Sequence, residues 1–133
     1  GALAKGVLAK NGSLISVMPR FFKNKMNIIK SKKEIVTKDL FDRKSMMIKK
    51  SDFFIVLPGG FGTLDEVFEL ISLNQLALID KKIIILDINN FWHSLKNLIK
   101  DLKKSGFLYT NKNSNIIFKN SISETVGFIE DNL

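Results

Sequence analysis

The chain has 133 residues, 45% of them hydrophobic, and a mean hydropathy of +0.08, which suits one domain with a core but not two. It has no Cys and one His, which excludes a disulfide framework and leaves too few soft ligands for a zinc or copper site. Its net charge of +8 is carried almost entirely by Lys and attracts phosphates, whether of nucleic acid or of small metabolites.

No stretch approaches the roughly 20 apolar residues that span a bilayer, and the first residues lack the apolar segment of a signal peptide. We therefore expect a cytoplasmic protein without a membrane partner. The basic residues are spread over 23–38, 44–50 and 96–104 without interleaved exposed aromatics, which favours a solvated surface. Nucleic acid is accordingly not expected as a partner, and neither is a metal or a cofactor.

The predicted elements alternate between helix and strand along the chain. Residues 1–10 have a helical pattern, and because the chain opens on Gly within what resembles the middle of a helix, we expect that upstream sequence is missing. The segment Phe21–Lys33 is predicted to be a basic loop and a mobile flap. Strands are predicted at 13–18, 52–57, 82–87 and 115–118, and helices at 39–50, 63–78, 90–105 with Gly106 as C-cap, and from the capping box Ser121–Glu124 to about Glu130.

Two of the predicted strands, Phe53–Leu57 and Ile83–Leu86, are continuous apolar runs, which is typical of strands buried on both faces of a parallel sheet. Alternating strands and helices predict right-handed crossovers. The sequence therefore predicts an α/β, Rossmann-like open parallel sheet with helices on both faces, forming one partial nucleotide-binding domain over residues 1–133. Ligands of such folds bind at the carboxyl ends of the strands.

A glycine-rich turn, Pro58-Gly59-Gly60-Phe61-Gly62-Thr63, follows one of these strands and leads directly into a helix. Its glycines permit positive φ and close approach of a ligand, and the helix presents unpaired N–H groups at its positive end, so a phosphate fits there. The turn is neither a Walker loop nor the dinucleotide fingerprint, because no Lys follows the last glycine and the glycine spacing differs. A tight turn without any ligand remains the alternative.

Thr63-Leu64-Asp65-Glu66 also fits a capping box, in which Thr63 caps the helix and Glu66 reaches back to its backbone. The functional alternative places Glu66 in the first helical turn beside the phosphate, where its carboxylate faces an attached sugar. Glu69 lies one turn further along the same face. Both interpretations remain open from these residues alone.

The chain resembles the LOG (Lonely Guy) family, the cytokinin riboside 5′-monophosphate phosphoribohydrolases, formerly labelled lysine decarboxylase-like. The resemblance rests on the string P-G-G-x-G-T-x-x-E at Pro58–Glu66 together with the pair Arg43-Lys44. It covers about residues 1–110, and Gly1 matches the last glycine of the family's G-L-M-G segment, so the amino-terminal part of the family fold is expected to be absent. Nothing marks a lysine for a pyridoxal Schiff base, so the decarboxylase label gains no support.

The resemblance implies hydrolysis of the N-glycosidic bond of an adenosine 5′-monophosphate, plain or N6-prenylated, to free base and ribose 5-phosphate. Arg43 and Glu66 match the catalytic pair: a carboxylate can stabilise an oxocarbenium ion or activate water, and Arg43 can stabilise charge on the phosphate or the departing purine. A homodimer or higher homo-oligomer is also implied. The substrate-binding positions match Lys44, Pro58, Gly59, Gly60, Phe61, Gly62, Thr63, Asp65, Glu69 and Ser72, where Ser72 replaces the Thr frequent in relatives.

Two other classes of function compete with this one. Related proteins of this fold bind nucleotides or molybdenum cofactor without hydrolysis, so a non-catalytic carrier is the first alternative. A nucleic-acid-binding module that uses the positive charge is the second, but the sequence lacks a recognition motif for it.

Overall fold

The computed structural model describes residues 1–22, 31–108 and 115–132. The described chain divides into two compact units, Gly1–Ser51 and the part from Asp52 onward. That residues 1–133 form one domain stays a prediction.

The first unit is a two-stranded parallel sheet with two helices. The strands pair in register, with Ile15 opposite Lys33 and Pro19 opposite Thr37, and the second helix packs against both of them. Asp39 caps that helix by accepting a hydrogen bond from the backbone N–H of Asp42 at 2.8 Å. The elements are α1 (Ala2–Ala9), β1 (Ile15–Pro19), a 3₁₀ turn (Arg20–Phe22), β2 (Lys33–Thr37) and α2 (Leu40–Lys50).

The second unit is a three-stranded parallel sheet in the order β3-β4-β5, with a helix in each connection. The central strand β4 supplies the core, since Ile83, Ile84 and Ile85 are almost fully buried. The last helix packs on β4 and β5. The elements are β3 (Phe53–Val56), α3 (Phe61–Gln75), β4 (Lys82–Leu86), a 3₁₀ turn (Ile88–Asn90), α4 (His93–Lys104), β5 (Ile116–Lys119) and α5 (Ile122–Glu130).

The predicted α/β, Rossmann-like class is confirmed, because all strand pairs of the described chain are parallel and an α-helix follows each of β2, β3 and β4. The strands form two separate hydrogen-bonded sheets in the described chain. Strand β2 was missed, since Lys33–Thr37 has only two large apolar residues between charged neighbours. Of the predicted flap Phe21–Lys33, residues 23–30 lie outside the described part, Phe21 and Phe22 lie in a 3₁₀ turn, and Lys33 begins β2.

Burial of the two continuous apolar runs differs between them. Ile83–Leu86 is buried as predicted. For Phe53–Leu57 the prediction was wrong, because Ile55 and Leu57 are 44% and 43% exposed. The difference follows position, since β3 lies at the edge of its sheet whereas β4 has a strand on each side.

Backbone geometry explains where the helices of the second unit begin and end. Asn89 and Asn90 have positive φ, so α4 begins at His93 rather than at the predicted Asn90. Gly106, with φ of +76°, follows α4 as the predicted C-cap glycine. The capping box is confirmed at α5, where Ser121 Oγ accepts from Glu124 N–H at 3.2 Å and Glu124 Oε2 accepts from Asn120 N–H at 3.1 Å. None of the described helices is long and apolar enough to span a membrane.

Candidate active site

The glycine-rich turn leaves β3 and enters α3 at Phe61, with Gly60 as the N-cap. The backbone N–H groups of Thr63 and Leu64 both donate to the Gly60 carbonyl, at 3.0 and 3.1 Å. Thr63 is therefore the third residue of the helix, so the predicted capping box at Thr63 was wrong. For the same reason Glu66, the sixth residue, lies in the second helical turn and not in the predicted first turn.

The amino terminus of α3 carries no capping hydrogen bond from a side chain and no acidic residue in its first turn. By contrast, α2 begins with Asp39 as a cap and α5 begins with Ser121, and each has an acidic residue in the first turn. The first amides of any helix lack acceptors within the helix, and its positive end attracts anions. This end of α3 is therefore suited to an external anion such as a phosphate.

The glycines of the turn do not serve the purpose expected from the sequence. Gly106 is the glycine with positive φ in the described chain, so the prediction of positive φ in the turn was wrong. Gly59 is required for another reason, because a Cβ at this position would overlap Thr63 Oγ1. A Cβ at Gly60 or Gly62 would meet nothing within 4 Å, so these two glycines leave open space above the backbone.

The remaining predicted residues of the second unit follow the turn along α3. Glu66 and Glu69 are both half-buried and lie three residues apart, which places them on one side of the helix. Phe61 is 91% exposed at the start of α3. Pro58, Asp65 and Ser72 are also exposed. One turn and one helix thus bring together the predicted residues from Pro58 to Ser72.

Arg43 lies on α2 of the first unit, where it is half-buried. Its Nε donates to the backbone carbonyl of Val17 on β1 at 3.2 Å. It lines a cavity of about 670 Å³ together with apolar side chains of α1 and β1 and with Ser16, Met47, Lys50 and Ser51. Lys44, the next residue, has its ammonium 5.4 Å from the ring centroid of Phe41. Arg43 is thus held by a contact with β1, and Lys44 by a contact within α2.

A cleft of about 360 Å³ adjoins the glycine-rich turn and was not predicted from the sequence. Gly59 forms one wall, and the other lining residues are mostly apolar side chains of α3 and α4. Trp92 is buried at 4% exposure, and its ring lies edge to face with that of the 53% exposed Phe91 at 4.8 Å between centroids. No signal in the sequence marked this cleft, because its walls come from two helices. No cluster of His, Cys, Asp or Glu that could hold a metal occurs among the described residues.

Comparison with known proteins identifies the family to which this chain belongs. The model of the family described as "possible lysine decarboxylase" matches residues 1–128. Curated relatives include the cytokinin riboside 5′-monophosphate phosphoribohydrolases LOG4 and LOG1 of Arabidopsis thaliana, each 38% identical over 93 residues, or 70% of this chain. The chain belongs to the LOG family. The resemblance predicted from the sequence is thereby confirmed.

The match to these LOG relatives is partial along their length. LOG5 of Arabidopsis thaliana is 31% identical over 109 residues, which is 81% of this chain and 48% of that protein. The aligned parts of LOG4 and LOG1 are 43% and 44% of those proteins. The chain thus spans less than half the length of the LOG relatives it matches.

Proposed function

We propose that this LOG-family chain carries the site of a nucleoside 5′-monophosphate phosphoribohydrolase. The reaction is hydrolysis of the N-glycosidic bond of an adenosine 5′-monophosphate, plain or N6-substituted, to free base and ribose 5-phosphate. The observation that carries the proposal is the uncapped amino terminus of α3 at Gly60, followed within the same helix by the half-buried Glu66. The names of the relatives support the same reaction.

The phosphate of the substrate is proposed to bind at the start of α3. Thr63 is the first residue of α3 whose N–H donates to a carbonyl of the helix. Three backbone amides precede it, those of Gly60, Phe61 and Gly62, and no side chain caps this end of the helix. The open space above Gly60 and Gly62 admits phosphate oxygens to hydrogen-bonding distance of these amides. The helix dipole adds a favourable interaction with the dianion.

Glu66 is proposed to act on the ribose attached to that phosphate. Cleavage of the glycosidic bond develops positive charge at C1′ and the ring oxygen, which a carboxylate stabilises. The electron pair of the glycosidic bond leaves with the base as this charge develops. A water then adds its oxygen to C1′ and passes one proton to Glu66. Transfer of a proton from Glu66, directly or through solvent, to the departed base restores the carboxylate, so the water is divided between ribose 5-phosphate and the base. Glu69, one turn further on, borders the same side of α3.

Arg43 is proposed to stabilise negative charge on the departing base or on the phosphate. Its guanidinium stays protonated at physiological pH, so it acts through charge and hydrogen bonding and not by transferring a proton. The Val17 carbonyl accepts a hydrogen bond from Nε, which helps to hold the guanidinium at its cavity. Lys44 adds a second cation on the same helix.

Release of base from AMP and from N6-isopentenyl-AMP tests this proposal. We expect free adenine or N6-isopentenyladenine, separated by liquid chromatography, together with an equal amount of ribose 5-phosphate. The competing function is a nucleotide or molybdenum-cofactor carrier of the same fold. Nucleotide binding measured by calorimetry without any release of base would favour the carrier and reject the hydrolase.

We also propose that the chain forms a homodimer. Large apolar side chains are exposed just after α3, where Leu76 and Leu78 are 65% and 67% exposed. Exposed apolar groups that lie close together mark interaction surfaces. Light scattering coupled to size-exclusion chromatography should give twice the mass of the 15.1 kDa chain, and a monomer at micromolar concentration would contradict this.

A further inference from the structure

The cleft between α3 and α4 differs in chemistry from the proposed nucleotide site. Its volume is about 360 Å³, and none of the described residues that line it carries a charge. Leu64 and Phe68 of α3 and Leu95 and Leu98 of α4 supply much of the lining. Moving an ion from water into such surroundings is unfavourable when no partner charge is present. The cleft is therefore suited to an uncharged, largely apolar molecule and not to a phosphate.

A buried hydrogen-bond donor belongs to a residue of this lining. Trp92 lines the cleft and is 4% exposed, and its indole Nε1 is buried without a hydrogen-bond partner in the described part of the chain. Its main-chain N–H, by contrast, donates to Asp87 Oδ1 at 2.7 Å. A buried indole N–H usually has a partner, and leaving it unpaired is unfavourable. A ligand that brings an acceptor to Nε1 therefore gains affinity from that hydrogen bond.

The ring of Phe91 lies beside this indole and lines the same cleft. Because Nε1 is covered in this structure, an acceptor reaches it only when a neighbouring side chain moves. Phe91 is 53% exposed, and exposed side chains change rotamer within nanoseconds. Trp92 itself is packed in the core. Phe91 is thus the side chain that can turn aside when a ligand enters.

We propose that this cleft is a binding site for an uncharged, flat, largely apolar molecule whose hydrogen-bond acceptor takes the Nε1–H of Trp92. A cavity of about 150 Å³ holds benzene, so this larger cleft has room for roughly ten to fifteen non-hydrogen atoms. A ring nitrogen, a carbonyl or an ether oxygen supplies the acceptor. The ligand is a separate molecule from the nucleotide of the proposed function, and its binding does not depend on that function.

Nuclear magnetic resonance of the single tryptophan tests this proposal with quinoline as the probe. Quinoline is a flat bicyclic molecule with one ring nitrogen as acceptor, and naphthalene has the same shape without that nitrogen. In a proton–nitrogen correlation spectrum, the one indole cross-peak reports on Trp92 Nε1 alone. We expect quinoline to move this cross-peak to higher proton frequency with a Kd about tenfold below that of naphthalene. A cross-peak that responds alike to both molecules, or to neither, would overturn the proposal.

Two variants separate the hydrogen bond from the shape of the cleft. Trp92→Phe keeps a flat apolar ring without the N–H, so the Kd values of quinoline and naphthalene from ligand-detected resonance should agree within about threefold. Ser94→Phe narrows the cleft from an exposed lining position and should weaken quinoline binding about tenfold or more. Lys100→Phe, at an exposed position of α4 outside the lining, is the matched control and should bind like wild type. Unchanged quinoline binding by Ser94→Phe would place the ligand elsewhere and reject the proposal.

Addition of AMP distinguishes this cleft from the nucleotide site. Because the described lining carries no charge to hold a phosphate, saturating AMP should leave the Kd of quinoline within about threefold of its value without nucleotide. Displacement of quinoline by AMP would overturn the proposal and make the cleft a part of the nucleotide site. Binding of quinoline as expected by a chain that releases no base from AMP would support the proposal and reject the hydrolase.

Discussion

The Nε atom of Arg43 donates a hydrogen bond to the backbone carbonyl of Val17 at 3.2 Å, across 26 residues of sequence. This contact ties α2 to β1, two elements that also pack against each other. This hydrogen bond holds Nε and restricts where the two terminal nitrogens of the guanidinium can lie. A main-chain group of the neighbouring strand thus helps to position Arg43.

Arg43→Lys should therefore lower activity although it keeps the positive charge. Lysine has no atom equivalent to Nε and presents a point charge, so the link to Val17 is lost and the cation is no longer oriented. We expect kcat/KM for release of base from AMP to fall about 10²-fold. Arg20→Lys, at an exposed position of the 3₁₀ turn, is the matched control and should match wild type. Equal activity of Arg43→Lys and wild type would show that charge alone suffices.

Glu66→Gln should abolish turnover and leave binding of ribose 5-phosphate close to that of wild type. The amide keeps the size of the side chain but can neither stabilise the oxocarbenium ion by charge nor accept a proton from water. We expect kcat to fall about 10²- to 10⁴-fold. Glu130→Gln, on the last turn of α5, controls for loss of one carboxylate. Full activity of Glu66→Gln would mean that the carboxylate has a structural role only.

The sequence predicted those parts of the fold that depend on local pattern. The run Ile83–Leu86 indicated a buried strand because it is continuously apolar, and the structure gives it a strand on each side. Ser121 indicated a helix start because its cap is formed within four residues. Strand β2 was not predicted because Lys33–Thr37 lacks an apolar run. This segment is a strand because it pairs with β1. Pairing between distant segments leaves little trace in a short window of sequence.

For the site, the glycine-rich string and the Arg-Lys pair were sufficient to identify the family. The physical reason for Gly59 was not predictable, since it depends on where the Thr63 side chain lies once the helix has begun at Phe61. The hydrogen bond between Arg43 and Val17 was not predictable either, because it joins residues that are 26 positions apart in the sequence. A motif identifies which residues belong to the site. The contacts that hold those residues in place form only when distant parts of the chain pack together.

Asp87→Ala should destabilise the second unit. Asp87 is 2% exposed, and its Oδ1 accepts from the backbone N–H of Trp92 at 2.7 Å at the end of β4. Removing the carboxylate leaves that buried N–H unpaired, for which we expect a loss of about 2 kcal/mol in the free energy of unfolding. Urea denaturation followed by the fluorescence of Trp92, the single tryptophan, measures it. Asp87→Asn keeps an acceptor and should lose less, while the exposed Asp101→Ala should change stability by under about 0.5 kcal/mol.

Alanine should have opposite effects at two glycines of the second unit, one just after α4 and one inside α5. Gly106 has φ of +76°, which an L side chain tolerates poorly, so Gly106→Ala should lower the free energy of unfolding by about 1 kcal/mol. Gly127 lies inside α5 with helical φ, and its Cβ would meet nothing within 4 Å. Gly127→Ala should therefore raise the free energy of unfolding by about 0.5 to 1 kcal/mol, because alanine loses less chain entropy in a helix. Denaturation midpoints that shift in the same direction for both variants would contradict this assignment of the two backbone conformations.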